Sequence, residues 1–296
     1  MGYLFLSLAL IAGLTKGYCG KKTSGFTANM RSAAFLNLIR MLLCIGFSFL
    51  LLLFMGELDA LTLSPGVIGI SALSGVSTSV FVVTWLLSVR KNAYMMIDVF
   101  LMLGTLVPIV TGAVLYSDSI SLRQWLGFAL LLLAVWIMCS YSASVKERFS
   151  IPSLLLLLFC GLANGVTSFS QKIFVSTVSD VPIAIFNLYT YLFAAITLAA
   201  YFFLSSGKEK LSFSKETGMR RAYIYVSIMA IALTAHSYFT TTAALFLDPV
   251  RLYPLNQGAG LILSTLMARF LFGEKLKARA IFGILLSFVA LLIINL

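Results

Sequence analysis

Apolar residues along this chain come in ten long stretches, roughly 3–20, 33–55, 66–89, 93–116, 122–143, 151–170, 181–204, 222–246, 250–272 and 277–295. Each is close to the roughly 20 residues that carry a helix across a bilayer core. No alternation of period two in pieces of about ten residues is present, which argues against a barrel. Connections are short, and only the one from Ser205 to Arg221 can hold a loop of any size. The pattern predicts an all-α integral membrane protein of ten transmembrane helices, with no soluble domain for separate chemistry.

The same positions recur in the two halves of the chain. Glu274, Arg279 and Gly283 repeat the offsets of Asp118, Arg123 and Gly127. Gly13-Leu14-Thr15-Lys16-Gly17 is matched by Gly161-Leu162-Ala163-Asn164-Gly165. The spacing predicts two five-helix repeats, residues 1–145 and 146–296. Five is an odd number, so the second repeat must enter the membrane from the opposite side, and the repeats are expected to be inverted. Inverted repeats around a midplane site are an architecture of secondary transporters, because two related halves can exchange roles as inner and outer gate.

Composition supports the membrane reading. Sixty per cent of the 296 residues are hydrophobic and 10% charged, with a mean hydropathy of +1.03, which leaves too little polar surface for a water-soluble globule. A net charge of +11 would suggest nucleic acid in a soluble domain, but here the basic residues sit between apolar runs and act as topology signals, so no nucleic-acid role is assigned. Seventeen of the 21 Lys and Arg residues, Arg31 and Arg40 among them, are assigned to connections that follow odd-numbered helices, and three (Arg123, Lys172, Arg251) to the even ones. The odd connections are therefore expected in the cytoplasm and both termini outside a plasma or inner membrane. The first run lacks a basic leader and has Lys16 where a small-residue cleavage site would stand, so it reads as a retained helix. Cys19, Cys44, Cys139 and Cys160 lie in apolar runs without CxxC spacing and read as small buried hydrophobes.

With these features the sequence resembles the ten-helix, EamA-type branch of the drug/metabolite transporter superfamily. The likeness is carried by the two five-helix halves and the Gly-rich first helix of each. It is carried also by the hairpins closing at Tyr116-Ser117-Asp118 and Phe272-Gly273-Glu274 before a Gly-containing last helix. The first half has Ser117-Asp118 where the pattern has Gly-Glu. The resemblance implies a secondary carrier of small metabolites, often an exporter, with its path between the halves. It implies no particular substrate.

An ionisable group inside a membrane helix costs about 2.5–3.5 kcal/mol on insertion scales, which makes each a functional candidate. Three qualify: Lys16, Asp98 and His236. For Lys16 the plain alternative is snorkelling to the interface, for Asp98 pairing with Arg90 or Lys91, and for the lone His236 a hydrogen-bonded structural role. Under the inverted repeat, Lys16 corresponds to Asn164, and Asp98 to Pro254 with Asn256 and Gln257 half a turn on. The expectation is a charged inner gate of Lys16 and Asp98 opposite a neutral outer gate of Asn164, Asn256 and Gln257. Trp85, Tyr189, Tyr238 and Tyr253, with Phe186 and Tyr191, are candidates for an aromatic cavity wall. Pro108, Pro182, Pro249 and Pro254 punctuate helices, and Pro254 with Gly258 and Gly260 leaves backbone carbonyls exposed to a kink or a ligand. The GxxxG pairs Gly13/Gly17 and Gly161/Gly165 let backbones approach closely in lipid. Glu274 and Asp118 read as acids at helix N-termini and are not assigned a site.

No Walker A pattern is present, so the drive expected is secondary, with protons as a candidate coupling ion through His236 or Asp98. No cofactor and no metal is expected, because one His and scattered acids cannot assemble a ligand set. Two other functions compete. An intramembrane enzyme would need a nucleophile with its base or a metal cluster, and the one His has no acid within a helical turn. A non-transporting scaffold or partner subunit would be favoured by a cavity too small and too apolar for a solute. The expected partners are a small-molecule substrate and the lipid bilayer, with monomer and homodimer both open.

Overall fold

In a computed structural model the chain is described over residues 1–91, 94–116, 120–142, 151–178, 180–205, 210–213, 219–273 and 278–295. Eleven α-helices occupy them: α1 (Gly2–Ser24), α2 (Met30–Met55), α3 (Pro65–Lys91), α4 (Tyr94–Gly104), α5 (Leu106–Tyr116), α6 (Leu122–Ser142), α7 (Ile151–Thr177), α8 (Ile183–Leu204), α9 (Met219–Ala243), α10 (Pro249–Leu271) and α11 (Ala278–Asn295). No strand occurs among the described residues beyond one isolated bridge, Thr27 to Phe213. The all-α expectation therefore stands. Asp118, Glu274 and the side chain of Cys139 lie outside the described residues.

Ends of the helices follow local chemistry. Asn29 caps α2, its Oδ1 accepting from Ser32 N at 2.9 Å while Ser32 Oγ accepts from Asn29 N at 3.1 Å, a reciprocal box. That helix stops at Gly56, whose φ of +69° a side chain would disfavour.

The stretch 93–116, read from hydropathy as one crossing, is two helices meeting at Thr105. Pro108 supplies the reason. It has no N–H to give the carbonyl of Gly104, and its ring crowds that carbonyl four residues back. Thr105 instead turns both its N–H (3.0 Å) and its hydroxyl (2.7 Å) to Met102 O. Pro254, nearer the start of α10, leaves that helix continuous.

Packing crosses between the two halves of the chain. Helix α1 lies on α9 and α7 on α3, while α2 pairs with α8 and α6 with α11. Helices α4 and α5 lean on α7 and α10. The α4/α7 seam is backbone on backbone: a Cβ built on Gly104 would stand 3.0 Å from the carbonyl carbon of Gly161, and one on Gly161 3.1 Å from that of Phe100. The Gly161/Gly165 spacing is thus used for close packing.

Basic connections meet at one end of the bundle. Lys21 Nζ donates to Val89 O at 3.4 Å, Arg90 Nη1 to Thr27 O, and Asn29 Nδ2 to Lys210 O at 2.7 Å. Lys22 Nζ stands 5.8 Å from the Phe272 ring. At the other end Gly2 rests on Leu247, and Ser121, Arg251 and Ile294 line one surface hollow.

Among the described residues, six helices (α1, α2, α3, α7, α8 and α9) are long and apolar enough to cross a membrane. Shorter apolar helical stretches run over Phe100–Leu115, Leu122–Ala134 and Ile281–Ile294. Large apolar side chains such as Phe54, Phe203, Phe270 and Phe282 stand outward, as on a multi-pass membrane protein.

Candidate functional site

Two adjoining cavities lie between the halves, of about 70 and about 50 Å3. The larger is lined by Lys16 of α1, Asp98 of α4, Asn164 of α7, His236 of α9 and Asn256 and Gln257 of α10. All six polar residues singled out from sequence thus face one space. The two-gate expectation placed five of them, all but His236, at separate ends; the structure gathers them about a single centre, with Asn164 midway along α7. Glycines make the room. Gly17 and Gly260 sit on the wall, and a Cβ on Gly13 would come within 3.3 Å of His236 Nδ1. Trp85 lines the cavity and leans into the space left by Gly20.

The charged groups look inward without pairing. Oδ2 of Asp98 is buried with no hydrogen-bond partner in the protein, while Ser264 lies beside the carboxylate. Lys16 Nζ stands 6.0 Å from the centroid of the Phe81 ring, within electrostatic reach of Asp98 but not in a closed ion pair with it. His236 has one ring nitrogen fixed: Nδ1 is 2.8 Å from Ala9 O. A carbonyl can only accept, so Nδ1 carries hydrogen, and in the neutral ring Nε2 is left as an acceptor. Nδ2 of Asn164 and Oδ1 of Asn256 have no partner in the protein.

Beyond a shared wall, the smaller cavity is lined by hydroxyls and amides. Of its lining residues, Thr167 Oγ1 meets Ser77 Oγ of the layer behind at 3.0 Å, and Ser237 Oγ accepts from Gln171 Nε2 at 3.5 Å while donating outward to Asn187 Oδ1 at 2.8 Å.

Of the four aromatic candidates only Trp85 lines either of these two cavities. Tyr253 is fully buried beside Leu6, Ala243 and Leu252, its hydroxyl donating to Ser168 O at 2.7 Å. Tyr238 donates to Met55 Sδ at 3.8 Å, and Tyr189 packs against the cluster of Leu52, Ala184 and Ile185. The presence of an aromatic in an apolar run does not say whether it faces a void. Phe186 stacks on Phe174 at 4.5 Å, and Tyr191 borders the smaller cavity with its hydroxyl donating to Leu233 O at 3.4 Å.

The charge pattern assigns Arg40 to a connection, and the structure corrects this. The residue lies inside α2, 2% exposed, with Nε and Nη2 lacking partners in the protein, beside Cys44 and Tyr191 and within electrostatic reach of Lys16. The signal was available, since position 40 falls within the apolar run 33–55. Cys19, Cys44 and Cys160 are buried free thiols.

No protein-family model matches the chain, and no curated protein matches it. Solved structures do match, 28 chains of them. One, described only as a crystal structure of protein, superposes with a TM-score of 0.71 over 99% of this chain and 98% of that chain, at 13% identity. At that identity the likeness speaks for the fold alone, and it does so over the whole length.

Proposed function

We propose that this protein is a secondary transporter of the EamA type that moves a small organic solute across a cell membrane. The mechanism is alternating access between two inverted five-helix repeats, residues 1–145 and 146–296. One observation carries the proposal: ionisable and amide side chains from both halves converge on one cavity between them in a largely apolar bundle. Such groups are costly in a membrane interior and are retained where a polar ligand must be met.

The exchange of partners supports the inverted reading, with α1 on α9 and α7 on α3, as does the meeting of both chain ends at one end of the bundle. The gathering of basic connections at the other end supports a cytoplasmic position for them.

A volume of about 70 Å3 is the one feature that favours a non-transporting scaffold. The polar lining argues against that reading.

Reconstitution into proteoliposomes, with counterflow measured over a panel of small amines, amino acids, sugars and nucleosides, tests the proposal. The expected result is saturable flux of at least one solute that Asn256→Leu abolishes. Liposomes that hold folded protein and pass nothing above the empty control would refute it. Flux that follows an imposed proton gradient and loses that dependence in Asp98→Asn or His236→Gln would identify the coupling group. Flux that ignores the gradient assigns facilitated diffusion or exchange.

A further inference from the structure

Lys16 and Asp98 face one small cavity from α1 and α4 without neutralising each other. An ammonium and a carboxylate withdrawn from water both remain costly until an opposite charge meets each. A solute with one charge would satisfy one of them and leave the other unmet. A zwitterion satisfies both, Lys16 taking its carboxylate and Asp98 its ammonium. Two orphaned groups of matching sense stand alongside: Nδ2 of Asn164 has a hydrogen to donate, and Oδ1 of Asn256, a residue 7% exposed, has lone pairs to accept.

The smaller chamber tells what the rest of the solute carries. It shares Lys16, Phe81, Asn164, His236, Asn256 and Gln257 with the larger one and is lined by no carboxylate. Ser74, Thr190 and Thr240, all at 3% exposure or less, line it, and their hydroxyls have no partner in the protein. A helix-borne hydroxyl usually bonds the carbonyl four residues back. Three left unbonded around one space call for an occupant that both donates and accepts, and an apolar arm would leave all three unsatisfied.

We infer that the solute is a small zwitterion, its ammonium and carboxylate one or two carbons apart, with a hydroxyl- or amide-bearing side arm that lies in the second chamber. This rests on the transporter reading and names the substrate class of the same site.

Thermal-shift titration of the purified full-length protein tests it with serine, homoserine and glutamine, and with three relatives of homoserine that each lose one feature. Norvaline replaces the hydroxyl by a methyl, 4-hydroxybutyrate lacks the ammonium, and 3-aminopropan-1-ol lacks the carboxylate. At least one of the three polar zwitterions should raise Tm saturably, and homoserine should half-saturate at a concentration at least tenfold below each of its relatives. Lys16→Met should erase the advantage of homoserine over 3-aminopropan-1-ol, and Asp98→Asn its advantage over 4-hydroxybutyrate. Should the singly charged compounds or norvaline bind as tightly as homoserine, or should all three zwitterions leave the Tm of the folded wild type unmoved, the inference is overturned. The wild-type series decides the matter even where a variant fails to fold. Counterflow separates this inference from the transport reading. Zwitterion binding without flux sinks transport and keeps the site, whereas flux of neutral or singly charged solutes without zwitterion binding keeps transport and sinks the inference.

Discussion

Gly161→Ala should loosen the seam between α4 and α7. The added methyl would enter the carbonyl of Phe100, 3.1 Å from its carbon and closer to its oxygen, where ordinary contact begins at 3.4 Å. Both partners are helix backbone, so no rotamer change relieves the clash. Overpacking of this kind costs about 3 kcal/mol, the upper part of its usual range. Replacing a helical Gly by Ala returns about 0.5–1 kcal/mol. The net expectation is a loss of about 2 kcal/mol. Gly46→Ala is the control, because a Cβ there meets nothing within 4 Å and only the propensity gain of about 0.5–1 kcal/mol remains. Intrinsic-fluorescence melting in one detergent should therefore move the two variants in opposite directions, by roughly 2–4 °C per kcal/mol for chains of 150–250 residues and somewhat less here. The same change has a functional reading. Asp98 lies two residues before Phe100 and Asn164 three after Gly161, so restoring contact separates two walls of the cavity by on the order of 1 Å, enough to degrade a positioned site. A Gly161→Ala protein that melts at or above the Gly46→Ala control would show that α4 and α7 do not pack through backbone.

Exchanging the charges, Lys16→Asp with Asp98→Lys, should recover no more flux than either single neutralisation, because the two groups do not close on each other. Recovery to a third of wild type would reinstate a direct ion pair. Ser237→Ala removes the donor to Asn187 Oδ1, and since Asn187 is 1% exposed with Nδ2 already unpartnered, the cost should be about 1–3 kcal/mol in a melting experiment. Adding Asn187→Leu should return part of it, because replacing both partners is cheaper than orphaning one. Gly20→Leu should drive the Trp85 ring toward the cavity and abolish solute-induced stabilisation while leaving a folded protein. Undiminished solute binding would show that the ring has another place to go.

The parts of this molecule that were legible in the sequence are those that hydropathy controls. Helices longer than a bilayer is thick and a charge bias between connections follow from the cost of exposed backbone and charge in lipid. Lys16, Asp98 and His236 stood out for the same reason. The break at Thr105 was hidden because Leu106, Val107 and Ile109 keep the run apolar through it, and only Pro108 carried the information. The two-gate arrangement failed to anticipate the shared cavity because hydropathy bounds a helix only to within a few residues, which leaves the depth of a side chain open by about a turn, and sequence offsets leave open the azimuth at which neighbouring helices meet. Tyr253 shows this most plainly. It sits three residues before Asn256 on the same helix, yet its hydroxyl is spent on Ser168 O while the amide beyond it faces the void.

On the proposed two-repeat reading, scaffold and chemistry answer to different physical constraints. Positions that make room answer to shape alone, and small residues recur there in both halves: Gly13 and Gly17 leave space for the cavity, and their matches Gly161 and Gly165 let α7 approach the backbone of α4. Positions that face the cavity answer to the solute, which has no two-fold symmetry of its own. The first half contributes the cavity's ammonium and carboxylate, Lys16 and Asp98. The second contributes its amides and its imidazole, Asn164, Asn256, Gln257 and His236. An unsymmetrical ligand held between symmetrical halves requires such a division, because equivalent residues on both sides would bind it equally well in two opposed orientations. The mismatch of Lys16 with Asn164, within an otherwise repeated segment, is therefore where a search for substrate contacts should begin.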